Sequence, residues 1–159
     1  MKSIFFAMLI LVTKSSFSQV DTIHLLLGKS EQTVTDYFNK LNSERPLANY
    51  QVKRSTTVMG DLELSLEFLN DDENYYKCSE LTAAFQKVNG SVYCTSQSIF
   101  ARIEYADLYL SYVKQNFTQV SDDTWEMSST IKDMKIVATY TKVMETHFGL
   151  AFDLVKATK

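Results

Sequence analysis

The chain has few of the residues from which nucleotide sites, metal sites and nucleophile elbows are built. Its 159 residues include four glycines, one proline, two cysteines and two histidines. The glycines are scattered along the chain, so no G-x-S-x-G elbow exists. Gly28-Lys29-Ser30 resembles the end of a phosphate-binding loop, but Ile23 stands where that loop needs its first glycine. A turn that begins a helix is the better interpretation.

Residues for acid–base or metal chemistry are equally scarce. The two histidines, His24 and His147, have no metal-ligand spacing around them. His147 and Asp153 share one face of a predicted strand, but the extended chain between them spans roughly 20 Å. The acidic run 71–73 lacks the ligand alternation of a calcium loop and is typical of a solvated hairpin tip. We expect no catalytic residue, no metal site and no cofactor, while a hydrolase assembled from distant residues stays open.

No apolar run is long enough to cross a membrane. The run at 4–12 has nine residues, whereas a spanning helix needs about 20. Lys2 precedes this run and the small residues Ser16 and Ser18 follow it, which is the pattern of a cleavable secretory signal. We predict a signal peptide over 1–18 and a single mature domain over 19–159, secreted or periplasmic, without a membrane span. A buried N-terminal strand is the alternative.

A basic surplus is also absent. The chain has 16 basic and 19 acidic residues, a formal charge of −3. Removal of the signal takes away Lys2 and Lys14, which leaves 14 of the basic residues against all 19 acids, a charge of −5. An acidic balance without a basic cluster argues against nucleic acid as the partner, and against anionic lipid surfaces.

The two cysteines are Cys78 and Cys94. In an oxidising compartment an isolated pair predicts a disulfide, which would stabilise the fold by roughly 3 kcal/mol on the chain-entropy model. Two buried thiols are the alternative. A redox pair is disfavoured because the cysteines are not arranged as C-x-x-C.

The chain is rich in alternating apolar patterns. The clearest runs from Leu62 to Phe68, where leucines alternate with glutamate and serine, as in a half-buried strand. Further strands are predicted near 22–27, 50–58, 124–128, 134–142 and 147–155. Ser30 is a good cap for one helix, and a second covers about 102–117. Groups of strands between helices predict an α+β fold, an antiparallel sheet with helices packed on one face.

The halves of the chain resemble each other weakly. Laid on itself, the chain places Leu62, Leu64 and Leu66 on Met134, Ile136 and Ala138. The pattern is compatible with two tandem helix-plus-three-strand units, near 30–85 and 102–157. Because identities are few, an unduplicated domain is equally compatible.

The second helix carries two apolar stripes. At 100° per residue, one face collects the residues predicted to face the sheet, with Tyr109 beside them: Ile103, Ala106, Leu110, Val113 and Phe117. Tyr105, Leu108 and Tyr112 form a separate stripe almost opposite, and we refer to these three residues as the helix strip. Exposed aromatic patches are typical of contact surfaces, although cover by another part of the monomer also explains such a stripe.

These patterns favour a non-enzymatic, exported protein-binding or structural module over an enzyme. Its partner would be another protein or a second copy, bound through the helix strip. The alternative is a small secreted hydrolase or a ligand carrier with a site between sheet and helices. Trp125 is predicted to lie in the core, because Met127 shares its face of a strand.

Overall fold

A computed structural model describes residues 23–44, 50–68 and 77–157. The predicted signal peptide, the loop around Pro46 and the acidic run 71–73 lie outside the described residues. Within those ranges, no helix combines the length and the apolar character that a membrane span requires.

The described residues form two α-helices and eight β-strands. The first half comprises α1 (Glu31–Glu44), β1 (Tyr50–Thr56), β2 (Leu62–Phe68), β3 (Glu80–Val88) and β4 (Ser91–Arg102). The second comprises a 3₁₀ turn (Ile103–Tyr105), α2 (Ala106–Asn116), β5 (Thr118–Ser121), β6 (Thr124–Ser128), β7 (Met134–Lys142) and β8 (His147–Lys156).

All eight strands belong to one open antiparallel sheet. Their order across the sheet is β1-β2-β3-β4-β8-β7-β6-β5. Strands β4 and β8 lie side by side at its centre, where Ile99 is opposite Leu150. Every pairing is antiparallel. The predicted mixed α+β class with an antiparallel sheet is therefore confirmed.

Local sequence explains where several elements begin and turn. The hydroxyl of Ser30 accepts a hydrogen bond from the backbone N–H of Thr33 (3.3 Å), which caps α1 as predicted. Asn89 and Gly90 form the turn between β3 and β4 with φ of 51° and 89°, values that a two-residue hairpin of this kind requires.

Most of the buried apolar side chains of the strands lie on one face of the sheet, which we term the core face. Cross-strand register brings buried residues opposite buried residues, as with Ala138 and Phe152 on β7 and β8. On β8 every second residue is buried. These core-face residues share one core with helix residues, namely Val34, Phe38, Ala106, Tyr109 and Val113. Period-two alternation thus explains why one face is apolar.

The predicted strand at 22–27 is wrong for its described part, because residues 23–27 form no strand. A buried side chain holds this segment instead. The backbone N–H of Leu26 donates to Gln97 Oε1 (2.9 Å), and Gln97 Nε2 donates to the carbonyl oxygen of His24 (3.1 Å). The backbones of Gly28 and Cys94 are joined by a further bond (2.8 Å). The segment therefore uses a glutamine amide where a strand would use a neighbouring backbone.

The suggested repeat unit also differs from the observed element order. Each helix is followed by four strands rather than three. The weak self-alignment places β2 on β7, although β2 is the second strand after its helix and β7 is the third. The similarity arose because any two alternating strands match each other at a period of two.

Candidate functional site

Helix α2 is fixed to the sheet by Tyr109. Its ring packs on Phe148 of β8 at a centroid distance of 5.7 Å. Its hydroxyl donates to the carbonyl oxygen of Lys77 (3.1 Å), which lies just before β3. Burial raises the pKa of this hydroxyl, so it stays protonated and able to donate. These contacts determine which side of α2 faces solvent.

The predicted sheet-facing stripe is therefore rotated from the observed one. Ala106, Val113 and Phe117 are buried as predicted, and Tyr109 is buried with them. Ile103, predicted to face the sheet, is 36% exposed. The predicted sheet-facing direction was the middle of the five stripe residues placed at 100° per residue, and Tyr109 lay to one side of it. In the structure Tyr109 is itself buried beside Val113, which turns the buried direction of α2 by about 50° at 100° per residue.

This rotation changes the environment of the helix strip. Leu108 remains exposed, with 46% of its surface accessible. Tyr105 and Tyr112 are half-buried and pack against the edge of the core. Burial raises the pKa of the Tyr112 hydroxyl. Part of the strip is therefore covered within the monomer, and one exposed leucine lies between two half-covered tyrosines.

Cationic and polar groups border the strip. The ammonium of Lys77 lies 5.0 Å from the centre of the Tyr105 ring, within cation–π distance. The other exposed residues of the helix are polar: Asp107, Ser111, Lys114, Gln115 and Asn116. Leu108 is thus the large apolar side chain of α2 that is most exposed to solvent.

The predicted disulfide between Cys78 and Cys94 is not present. Both residues are buried thiols. The N–H of Ser79 donates to the carbonyl oxygen of Phe100 (2.8 Å), so Cys78 lies near the end of β4. Cys94 lies near the start of the same strand, roughly 20 Å away at 3.3 Å per residue. A disulfide needs Cα atoms within about 7 Å, so this fold separates the pair.

We expect unfolded, unreduced protein to expose two reactive thiols per chain. In the native state Cys94 should react slowly with a thiol reagent, because burial raises its pKa to about 12. Titration with such a reagent, with and without denaturant, checks this. Absence of reactive thiols after unfolding would contradict the arrangement and support the disulfide.

The same pKa shift predicts how stability depends on pH. An unfolded cysteine ionises near about pH 8.5, whereas folded Cys94 holds its proton up to about 12. Since the folded state binds more protons in this window, its stability falls as pH rises from about 8.5 to 12. Denaturation of a Cys94→Ala variant should show a shallower fall over this range.

Trp125 lies in the core, as its pattern predicts, with 3% of its surface exposed. Its indole Nε1–H has no hydrogen-bond partner within the described part of the chain. A buried donor without an acceptor costs roughly 1–3 kcal/mol. This is the observation that favours a ligand site between sheet and helices.

His147 has a packing environment on the face opposite the core. It stacks on Phe100 at 4.9 Å between ring centroids, and its Nδ1 is 2.8 Å from the Thr146 hydroxyl. Across the described ranges, no three histidine, cysteine or acidic side chains are grouped as a metal site would need.

The chain matches no protein-family model, no curated protein and no solved structure at a significant level. Similarity to known proteins therefore assigns no role to these residues.

Proposed function

We propose that this protein is an exported, non-enzymatic binding or structural module that contacts a protein partner through the helix strip. The observation that carries the proposal is the exposure of Leu108 between Tyr105 and Tyr112. These residues are three and four positions apart, so they lie in one row along the helix. A leucine with flanking tyrosines gives an apolar centre with hydrogen-bonding edges, which is the usual composition of a contact surface.

Partial burial of the tyrosines supports this role. Their rings are held by the core, so binding would immobilise few additional side-chain rotamers. A rigid aromatic border around an exposed apolar residue is also how binding hot spots exclude water. The strip therefore needs little reorganisation before it meets a partner.

Replacement of Leu108 by glutamate tests the proposal. The change places a charge at the centre of the contact, so we expect partner binding to weaken at least about tenfold. The melting temperature should change little, because Leu108 is 46% exposed and is not part of the buried core. Binding is followed by co-purification from the cells that make the protein, and stability by thermal denaturation.

Lys114→Glu is the matched control. Lys114 is also exposed on α2, but about 120° around the helix from Leu108 at 100° per residue. It should bind as the unaltered protein does. Equal binding by both variants would overturn the proposal. A large stability loss in Leu108→Glu would instead assign Leu108 to packing. Changes at Tyr105 or Tyr112 are less informative, because both side chains contribute to the core edge.

Export is part of the same proposal. The basic start, apolar run and small residues of 1–18 support cleavage by a signal peptidase and a secreted or periplasmic location. Buried thiols are compatible with an oxidising compartment, because burial shields them from oxidants. The mass of the mature protein should correspond to a chain that begins near Gln19. A mass that includes Met1 to Ser18 would contradict export by cleavage.

We further infer that both helices cover the core face and that the chain is a duplicated unit of one helix and four strands. Glu31 of α1 contacts Arg54, the cross-strand partner of the core-face residue Leu64, and Tyr109 of α2 contacts Phe148. The order of the strands is symmetric about the central β4–β8 pair. From either edge inward, the first, second, third and fourth strands of one half follow each other, β1–β4 from one edge and β5–β8 from the other.

A ligand carrier is the second candidate, favoured by the unpartnered Nε1–H of Trp125. A small molecule with a hydrogen-bond acceptor would satisfy this donor. Mass spectrometry of the native protein should then show an added mass that unfolding releases, and Trp125→Phe should lose it. Native protein with the mass of the chain alone would contradict this candidate.

A further inference from the structure

The tip of the β3–β4 hairpin extends beyond both neighbouring strands. Pairing of β2 with β3 ends at Phe85, and pairing of β8 with β4 begins at Ser96. Among the described strands, residues 86–93 therefore pair only with each other. At the base of the tip, the side chain of Gln86 donates to the Asp61 carboxylate (3.0 Å). Two strands without further neighbours are marginally stable in water, so the end of the tip can open without disrupting the sheet.

The turn at the end of this tip is accessible to solvent. Asn89 and Gly90 form the turn, and both are exposed. In the described part of the chain, no hydrogen bond holds the side-chain amide of Asn89 or the N–H of Gly90. Of all the asparagines in the sequence, Asn89 alone is followed by glycine. Because glycine has no Cβ, its main-chain nitrogen can approach a neighbouring group closely.

We propose that Asn89 is a site of spontaneous deamidation. The main-chain nitrogen of Gly90 attacks the side-chain carbonyl carbon Cγ of Asn89, and the new C–N bond closes a succinimide ring. The bond between Cγ and Nδ2 breaks, and ammonia leaves with the proton of the Gly90 N–H. Water then opens the ring at either of its carbonyl carbons, which gives aspartate or isoaspartate at position 89. Asparagine is chemically labile, and this turn combines that lability with an open approach for the nucleophile.

The products change the tip and leave the core in place. Both add a negative charge to a tip that also contains the exposed Lys87. Isoaspartate in addition inserts an extra atom into the main chain of a turn whose geometry is specific to two residues. Since the turn is exposed, the buried residues of the core face keep their contacts. The reaction therefore loosens the β3–β4 tip of older molecules without unfolding them.

Peptide mapping by mass spectrometry tests the proposal. Folded protein is incubated at constant temperature and mildly alkaline pH, in parallel with protein unfolded in guanidinium chloride. The peptide that contains Asn89 should acquire, over time, the small mass gain that replacement of an amide by an acid gives. Chromatography should resolve this peptide into an aspartate and an isoaspartate form. The rate in the folded protein should lie within about tenfold of the rate in the unfolded protein, because the tip opens locally.

Asn89→Gly is the control variant. Gly-Gly also suits a turn of this kind, so the variant should fold and should lose the mass gain completely. Asn116 is an internal control, because its Nδ2 donates to the carbonyl oxygen of Tyr112 (2.8 Å) and the residue after it, Phe117, is buried. The peptide that contains Asn116 should stay unchanged in the folded protein.

Two results would overturn the proposal. The first is an unchanged Asn89 peptide in the folded protein, whether or not the unfolded protein reacts, because the folded turn would then protect the asparagine. The second is equal deamidation of Asn116 in the folded protein, because the reaction would then not depend on the exposed Asn89–Gly90 turn.

Discussion

Phe148→Ala is expected to lower the free energy of unfolding by about 3–5 kcal/mol, the usual cost of removing a buried aromatic ring. Phe148 is fully buried at the centre of the core. It packs against Tyr109 of α2 and stacks with Tyr140 of β7 at 5.5 Å. Its loss would leave a cavity between α2 and the sheet. Urea denaturation measures the change.

Val120→Ala is the control for Phe148→Ala. Val120 is an exposed strand residue, so its truncation should change stability by less than about 0.5 kcal/mol. The Phe148 variant should also weaken the fixed position of α2. A loss below about 1 kcal/mol would contradict the packing of α2 against β8.

Gln97→Leu is expected to cost about 1–3 kcal/mol, although leucine is apolar and of similar size. The change removes the acceptor of the Leu26 N–H and the donor to the His24 carbonyl oxygen. Leu26 is fully buried, so its N–H would be left without a partner. Denaturation measures the loss, and hydrogen exchange should show faster exchange at the Leu26 amide.

Gln51→Leu is the matched control for this substitution. Gln51 is exposed on β1, so the same exchange should be nearly neutral there. Faster exchange confined to the Leu26 amide distinguishes loss of its hydrogen bond to Gln97 from general destabilisation, because general destabilisation speeds exchange throughout the core. If the Leu26 amide of Gln97→Leu were as protected from hydrogen exchange as in the unaltered protein, the hydrogen bond between Gln97 and Leu26 would be contradicted.

The sequence predicted best the strands in which apolar residues on the core face alternate with more exposed residues on the other face. Strands β6 and β7 have the predicted bounds, and β8 extends one residue further. On β8 the buried residues Phe148, Leu150 and Phe152 alternate with less buried ones. Because one face is apolar and the other is not, the pattern reports both the strand and its orientation.

The longest strand, β4, escaped prediction because its polar and apolar residues do not follow its faces. Thr95 and Gln97 are buried, whereas Phe100 is half-buried on the other face. The buried side chain of Gln97 hydrogen-bonds the backbone of Leu26, which is more than 70 residues earlier in the chain. No local pattern reports such a partner, so tertiary contacts decided this strand.

The sequence predicted which residues form the helix strip but left open whether another part of the monomer covers them. The sequence identified Tyr105, Leu108 and Tyr112 as one stripe, which the helix geometry supports. Their exposure depended on which side of α2 faces the sheet. That was decided by Tyr109, which reaches both Phe148 and the Lys77 carbonyl oxygen. Both contacts are distant in sequence, so helical periodicity alone left the rotation open.

The proposed binding role of the helix strip is tested most directly by site-specific cross-linking. A photoreactive amino acid is placed at position 108 and, in a separate variant, at position 114, and the cells that make the protein are irradiated. We predict a defined protein–protein cross-link from position 108 and none from position 114, because Leu108 lies in the strip and Lys114 lies about 120° around α2 from it. Equal cross-linking from both positions, or none from position 108, would contradict it.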